Sequence, residues 1–267
     1  MRIFPISTSK HTKSSVASNS RGVVYIAFGD LFLKEVAFSA ESLKKYNPDL
    51  HTTIFTDQKV SCEFIDEREI VRADSRHRRH KVDFIGQSPY ERTLFLDTDT
   101  IVNHRVDDMF ELLDVFDFVA AHDLARKRLT YSNAMREYQE IPYAFSEINT
   151  GVMAFRKNAL TAGLFRTWHD TFYKFIGKCQ WDQPSMRISL WQSCQQGLKV
   201  YIVPVEYNLR SRAVREKNRN LHEQFGEDHL KPRIYHLHAD PRINKGTYEI
   251  RSMEEALEVC RKDAMEY

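Results

Sequence analysis

Leu94-Phe95-Leu96-Asp97-Thr98-Asp99-Thr100-Ile101-Val102 is the stretch on which the reading of this chain turns. Leu94, Phe95 and Leu96, preceded by Thr93, form a short apolar run of the kind that a buried strand requires. The run closes on Asp97, and a second carboxylate follows two residues later. In open α/β sheets, ligands bind in the crevice outside the carboxyl ends of the strands. Strand alternation predicts that Asp97 and Asp99 share one face, from which both converge on one cation. Oxygen donors suit Mg²⁺ or Mn²⁺. Such an ion neutralises a diphosphate and stabilises it as a leaving group. Asp is also common in turns and caps after strands, but the apolar residues on both sides of the pair favour the ligand reading.

Working outward, Val23-Val24-Tyr25-Ile26-Ala27-Phe28 reads as a buried strand ending in Gly29-Asp30, with Asp30 expected to cap the next helix. Leu33, Val36, Ala37, Ala40 and Leu43 recur at helical spacing until Asn47-Pro48. Thr53-Ile54-Phe55-Thr56 is a second strand, ending in Asp57, and Glu69-Ile70-Val71 a candidate third. Asp117 to Ala121 and Gly151 to Phe155 are further strands. A long helix carrying Leu160, Leu164, Phe165, Trp168, Phe172 and Phe175 follows. Asp182 to Cys194 reads as helix, Val200 to Val203 and Ile234 to Leu237 as late strands, and Met253 to Met265 as a terminal helix. This alternation predicts a Rossmann-like α/β fold, a mixed but mostly parallel sheet flanked by helices, in a single domain over residues 21–267. Residues 1–20, rich in Ser, Thr and Lys, are expected to be a flexible lead-in. The polar stretch from Arg126 to Glu147 is expected to be an insertion or lid.

Composition removes several classes of function. A net charge of +2 gives no field for nucleic acid. A mean hydropathy of -0.52, without a long apolar run, predicts no transmembrane segment and a cytoplasmic protein. Cys62, Cys179, Cys194 and Cys260 lack the close pairing of a zinc knuckle or a disulfide framework, so reduced thiols are expected.

Two families share features with these segments. The apolar run followed by Asp97-Thr98-Asp99-Thr100 resembles the first motif of haloacid-dehalogenase-type phosphatases, in which Asp97 would be the nucleophile and Asp99 the acid/base. A wider resemblance, from about Gly22 to Lys245, is to GT-A glycosyltransferases. It is nearest to glycosyltransferase family eight, the group of glycogenin and the bacterial lipopolysaccharide galactosyltransferases. Its carriers are the opening strand, turn and helix with Ser42-Leu43 and Ile54-Phe55-Thr56-Asp57; Ile148-Asn149-Thr150-Gly151-Val152-Met153 with Trp181-Asp182-Gln183-Pro184; and Ile234-Tyr235-His236-Leu237-His238.

The glycosyltransferase resemblance implies a metal-dependent enzyme that moves a sugar from a nucleotide diphosphate donor, a uridine one, to a glycan, protein or small-molecule acceptor. It implies that Ala27, Phe28, Gly29 and Asp57 hold the nucleotide, with Asp97 and Thr98 beside it. Asp97, Asp99 and His236 would bind Mn²⁺ or Mg²⁺, His236 fitting the family position better than His238. Lys245 would take the place of a diphosphate-binding lysine. Asn149 would bond a sugar hydroxyl. Asp182, with Gln183 beside it, would orient substrate or move a proton. In the basic run Arg76 to Lys81, Lys81 is the residue expected to contact phosphate. Trp168, Trp181 and Trp191 read as core residues, and Trp181 is also placed to stack on an acceptor. A binding protein that keeps the fold without catalysis is the third reading.

Overall fold

Neighbouring residues along the central strands go to opposite sides of one sheet. Val23, Leu94 and Ala154 join one apolar cluster, whereas Val24, Phe95 and Met153 join another. This is the period of two that a sheet buried on both faces requires. The computed structural model describes residues 21–72, 76–77, 79–127, 135–210 and 212–237, with the side chains of residues 212 and 213 excepted. The expected lead-in, His238, Lys245, Cys260 and the terminal helix all lie outside the described residues.

The strands are β1 (Arg21–Ile26), β2 (His51–Thr56), β3 (Glu67–Ile70), β4 (Arg92–Leu96), β5 (Thr100–Val102), β6 (Phe118–His122), β7 (Ile148–Arg156), β8 (Val200–Val203), β9 (Leu209–Arg210) and β10 (Ile234–His236). The helices are α1 (Asp30–Tyr46), α2 (Lys81–Phe84), α3 (Asp107–Glu111), α4 (Arg136–Glu140), α5 (Ala159–Phe175), α6 (Asp182–Gln195) and α7 (Arg212–Phe225). Seven strands form a sheet in the order β3-β2-β1-β4-β7-β6-β8. Only the β4–β7 and β6–β7 pairs are antiparallel, so the expected mixed, mostly parallel sheet flanked by helices is what forms. One cluster packs Leu43 of α1 with Met109 and Phe110 of α3; the other packs Leu164 and Trp168 of α5 with Leu190 of α6.

The reversed direction of β7 positions the site. Leu96 pairs with Val152, and the Asp97 N–H donates to the Gly151 carbonyl at 2.7 Å. The amino end of β7, carrying Asn149, Thr150 and Gly151, therefore lies beside the carboxyl end of β4. A second sheet, β5-β10-β9, closes the same end of the molecule. There His236 pairs with Thr100, and the Leu237 N–H donates to the Asp99 carbonyl at 2.9 Å.

Several local expectations change. Asp97, Thr98 and Asp99 lie in the turn between β4 and β5 rather than along one strand. The Thr100 N–H and hydroxyl both donate to the Asp97 carbonyl, so a tight turn, not strand alternation, sets the two carboxylates. Asp30 is not the cap of α1: Gly29 is, at a φ of 84°, and the Asp30 carboxylate accepts from Gln58 instead. Part of the expected insertion is packed. Met135, Tyr138 and Ile141 at α4 are buried against Phe175, Cys179 and Ile188. Cys62, Cys179 and Cys194 are free thiols. Among the described residues no helix is long and apolar enough to cross a membrane.

Candidate active site

A cleft of about 1060 Å³ opens at the carboxyl ends of β1 and β4. Its walls include Phe28 and Gly29 after β1, the Asp97-Thr98-Asp99 turn, Asn149 and Thr150 of β7, Trp181 to Gln183 at the start of α6, and His236 of β10. Of the described residues expected to bind donor, metal or substrate, all line this cleft except Ala27 and Asp57. Ala27 is buried behind it. Asp57 accepts from the Gly29 N–H at 3.2 Å and so acts on the cleft's edge through the backbone turn. Phe28 is held against the His80 ring, centroids 4.3 Å apart, and Phe84, at 5.6 Å.

Asp97, Asp99 and His236 bring one ligand atom each to within 4.8 Å of one another. His236 Nε2 is 3.3 Å from Asp99 Oδ1 and 4.0 Å from Asp97 Oδ2. A chain of hydrogen bonds fixes which nitrogen of His236 carries the hydrogen. The Gly151 N–H can only donate, and it bonds Asn149 Oδ1 at 2.8 Å. The Asn149 amide then donates to the carboxylate of Asp123 at 3.2 Å. Asn208 donates its own amide to Asn149 Oδ1 at 2.9 Å, which turns Asn208 Oδ1 toward His236 Nδ1, also at 2.9 Å. Nδ1 must therefore be the N–H. Nε2 then either takes a second proton and pairs with Asp99, or keeps its lone pair for a cation. Ligating histidines are commonly oriented in this way, through the other ring nitrogen. The donor set, two carboxylates and an imidazole nitrogen, fits Mn²⁺ or Mg²⁺, the imidazole favouring Mn²⁺. Gly151 makes room for the ring: a Cβ there would lie 2.3 Å from His236 Cε1.

Lys81 begins α2 and is buried. Its Nζ donates to both Asp97 oxygens, at 2.7 and 2.9 Å, and to the Thr150 carbonyl at 3.1 Å, and lies 3.5 Å from Asp182 Oδ2. The lysine singled out for a phosphate is thus braced between two carboxylates. Asp182 is buried as the first residue of α6. It accepts from the Thr150 hydroxyl and lies 3.4 Å from Arg79 Nε. Burial raises its pKa, but the Lys81 and Arg79 charges and the Thr150 hydroxyl outweigh that and bring it down to about 2. Trp181 is exposed at the rim, with the Arg79 guanidinium 4.8 Å from its ring, whereas Trp168 is core. Gln183 donates to Glu147 at 3.2 Å.

Sequence reasoning missed Asn208, Asp123, Glu35 and the part played by Arg79. Thr98 donates to Glu35 of α1 across the floor of the cleft. Asp123 takes a 2.9 Å ion pair from Arg210. Burial pushes the Asp123 carboxyl up, but the Ala125 N–H, the Asn149 and Gln183 amides and the Arg210 charge hold it below its usual range. Of the missed residues only Arg79 carried a local signal, the basic run.

A mixed α/β sheet with this crevice at the strand ends defines the class: a nucleotide-sugar glycosyltransferase of GT-A type, with the relation to family eight that the motifs implied. The chain belongs to the nucleotide-diphospho-sugar transferase family, which matches residues 92–247, more than half its length. None of the curated proteins matches it in sequence. Its fold is similar to that of the galactosyltransferase LgtC, solved with donor and acceptor sugar analogues, at a TM-score of 0.58 and 12% identity over 92% of this chain and 97% of LgtC. It is also similar to the glycosyltransferase GlyE of Streptococcus pneumoniae, at a TM-score of 0.60 and 16% identity over 91% of this chain and 60% of GlyE. A third match is the bifunctional glycosyltransferase WbbM, at 0.56 and 15% over 93% of this chain and 50% of WbbM. The chain thus spans nearly all of LgtC but only 60% and 50% of the two larger proteins. At these identities the likeness bears on the fold. The phosphatase and non-catalytic readings are not favoured by the family membership.

Proposed function

We propose that this chain transfers a sugar from a uridine diphosphate sugar to an acceptor hydroxyl, with Mn²⁺ or Mg²⁺ held by Asp97, Asp99 and His236. The observation that carries the proposal is the hydrogen-bond chain from the Gly151 N–H to His236 Nδ1, which leaves Nε2 facing two carboxylates. When bound, the cation neutralises the departing diphosphate. Phe28 and Gly29 offer the nucleotide an aromatic face and an open backbone turn, with Asp57 holding the turn. Thr98 and Glu35 form the polar floor beside the ribose. Asn149 and Gln183 line the cleft on the side proposed for the donor sugar. Asp182, its carboxyl held low by Lys81 and Arg79, orients those two side chains rather than serving as a general acid. Lys81 holds Asp97 in place and lends the diphosphate side of the cleft positive charge. Lys245 remains the expected further diphosphate contact.

A thermal-shift screen of the protein against UDP- and GDP-sugars, with Mn²⁺, Mg²⁺ or chelator, tests this, since a ligand that binds the native state raises apparent stability. Stabilisation and slow donor hydrolysis with a UDP-sugar and Mn²⁺, lost on chelation, are expected. Phosphate release from simple monoesters without any response to nucleotide sugars would contradict the proposal.

A further inference from the structure

Near Lys81 in the chain, His77, His80 and Asp83 gather where α2 meets α5, and neither the sequence motifs nor the proposed transfer uses them. His77 and His80 form the cleft wall. Their ligand atoms and an Asp83 oxygen lie within 4.8 Å of one another. His77 Nε2 is 3.5 Å, and His80 Nδ1 3.6 Å, from Asp83 Oδ2. Two donors about 2.0–2.2 Å from a tetrahedral Zn²⁺ sit roughly 3.3–3.6 Å apart, so these separations are already those of a shared ion. They are too long for hydrogen bonds.

The polar accounting leaves two of the three donors unsatisfied, while His77 is engaged elsewhere. The Arg79 N–H donates to His77 Nδ1 at 3.0 Å, so the hydrogen of His77 is on Nε2, which faces the Tyr173 oxygen at 2.8 Å. Tyr173 in turn donates to Asp83 Oδ1 at 2.8 Å. This chain satisfies one Asp83 oxygen. Asp83 Oδ2 and His80 Nδ1, both buried, have no hydrogen-bond partner among the described residues. Two adjacent buried polar atoms without hydrogen-bond partners are costly, and a cation between them would satisfy both.

We infer that His80 Nδ1 and Asp83 Oδ2, with His77 Nε2, form a second metal site, one whose donors suit Zn²⁺. Two imidazoles and one carboxylate, with a fourth position open, are a zinc-type set rather than the all-oxygen set that Mg²⁺ prefers. Ligation by His77 exchanges its Nε2 hydrogen for the ion and gives up the Arg79 contact. His169 of α5, whose Nε2 lies 4.0 Å from Asp83 Oδ1, is the nearest candidate for the fourth position. An ion here ties α2, and with it Lys81, to α5, so its effect on the cleft is positional.

The test is calorimetric titration of Zn²⁺ into the full chain carrying Asp99→Asn and His236→Ala, which disable the first site. One equivalent of Zn²⁺ is expected. Adding His80→Ala or Asp83→Asn abolishes it, whereas adding Tyr173→Phe, which removes a neighbour but no ligand, retains it. Circular dichroism of each variant reports folding. No Zn²⁺ equivalent in the double variant, or an equivalent that survives both His80→Ala and Asp83→Asn in folded protein, overturns the inference. The zinc-binding readout does not depend on sugar transfer, so the result stands apart from the proposed function.

Discussion

Replacing Asp182 by Asn probes the electrostatic brace beneath the cleft. Asn has nearly the shape of a protonated Asp, so the variant isolates what the charge contributes. The Asp182 carboxyl falls from an ordinary 3.8 to about 2 because Lys81, Arg79 and the Thr150 hydroxyl outweigh its burial. At about 1.36 kcal/mol per tenfold change in acidity, the native state gains about 2 kcal/mol from the ionised form relative to the neutral one. A depressed carboxylate contributes in full above its unfolded value and loses that contribution as pH falls through its folded value. The wild type should therefore exceed Asp182→Asn by about 2 kcal/mol at neutral pH, or about 5 °C in melting temperature for a chain of this size. The gap should hold down to about pH 5 and shrink to about half near pH 3. Urea unfolding of both proteins across that range measures it. A gap near zero at neutral pH, or one that does not narrow on acidification, refutes the brace.

Other expectations follow from the same geometry. Asp99→Asn should stay folded yet lose Mn²⁺-dependent UDP binding, by more than tenfold in calorimetry. Asn208→Leu removes the acceptor that sets the His236 tautomer, and should weaken Mn²⁺ binding by about 10–100-fold without touching the ion itself. Gly151→Ala drives a methyl into the His236 ring; it should cost about 1–3 kcal/mol of stability and lower metal affinity together.

The sheet and the carboxylate turn were legible because their causes are local. An apolar run closing on Asp97 needs only the burial of β4, and the strand at Ile234 needs only its own pattern. The reversed direction of β7 was not legible, since Ile148–Arg156 is apolar in either orientation. The turn geometry of Asp97 and Asp99 was misread as strand alternation because β5 pairs with β10, a partner far along the chain. Asn208 and Asp123 were invisible for a related reason. Asn208 is 59 residues from Asn149 and 28 from His236, and nothing in its own neighbourhood marks it. Asp182 was singled out only through the resemblance. What decides is burial beside Lys81, a residue about a hundred positions away that only the folded sheet brings close.

The central claim is that Asp97, Asp99 and His236 hold one divalent cation against the diphosphate of a nucleotide sugar. A crystal structure with UDP and Mn²⁺ tests it most directly. One ion is expected in contact with both carboxylates and His236 Nε2, at about 2.0–2.3 Å, and with the diphosphate. UDP seated elsewhere, or an ion that touches neither Asp99 nor His236, contradicts it.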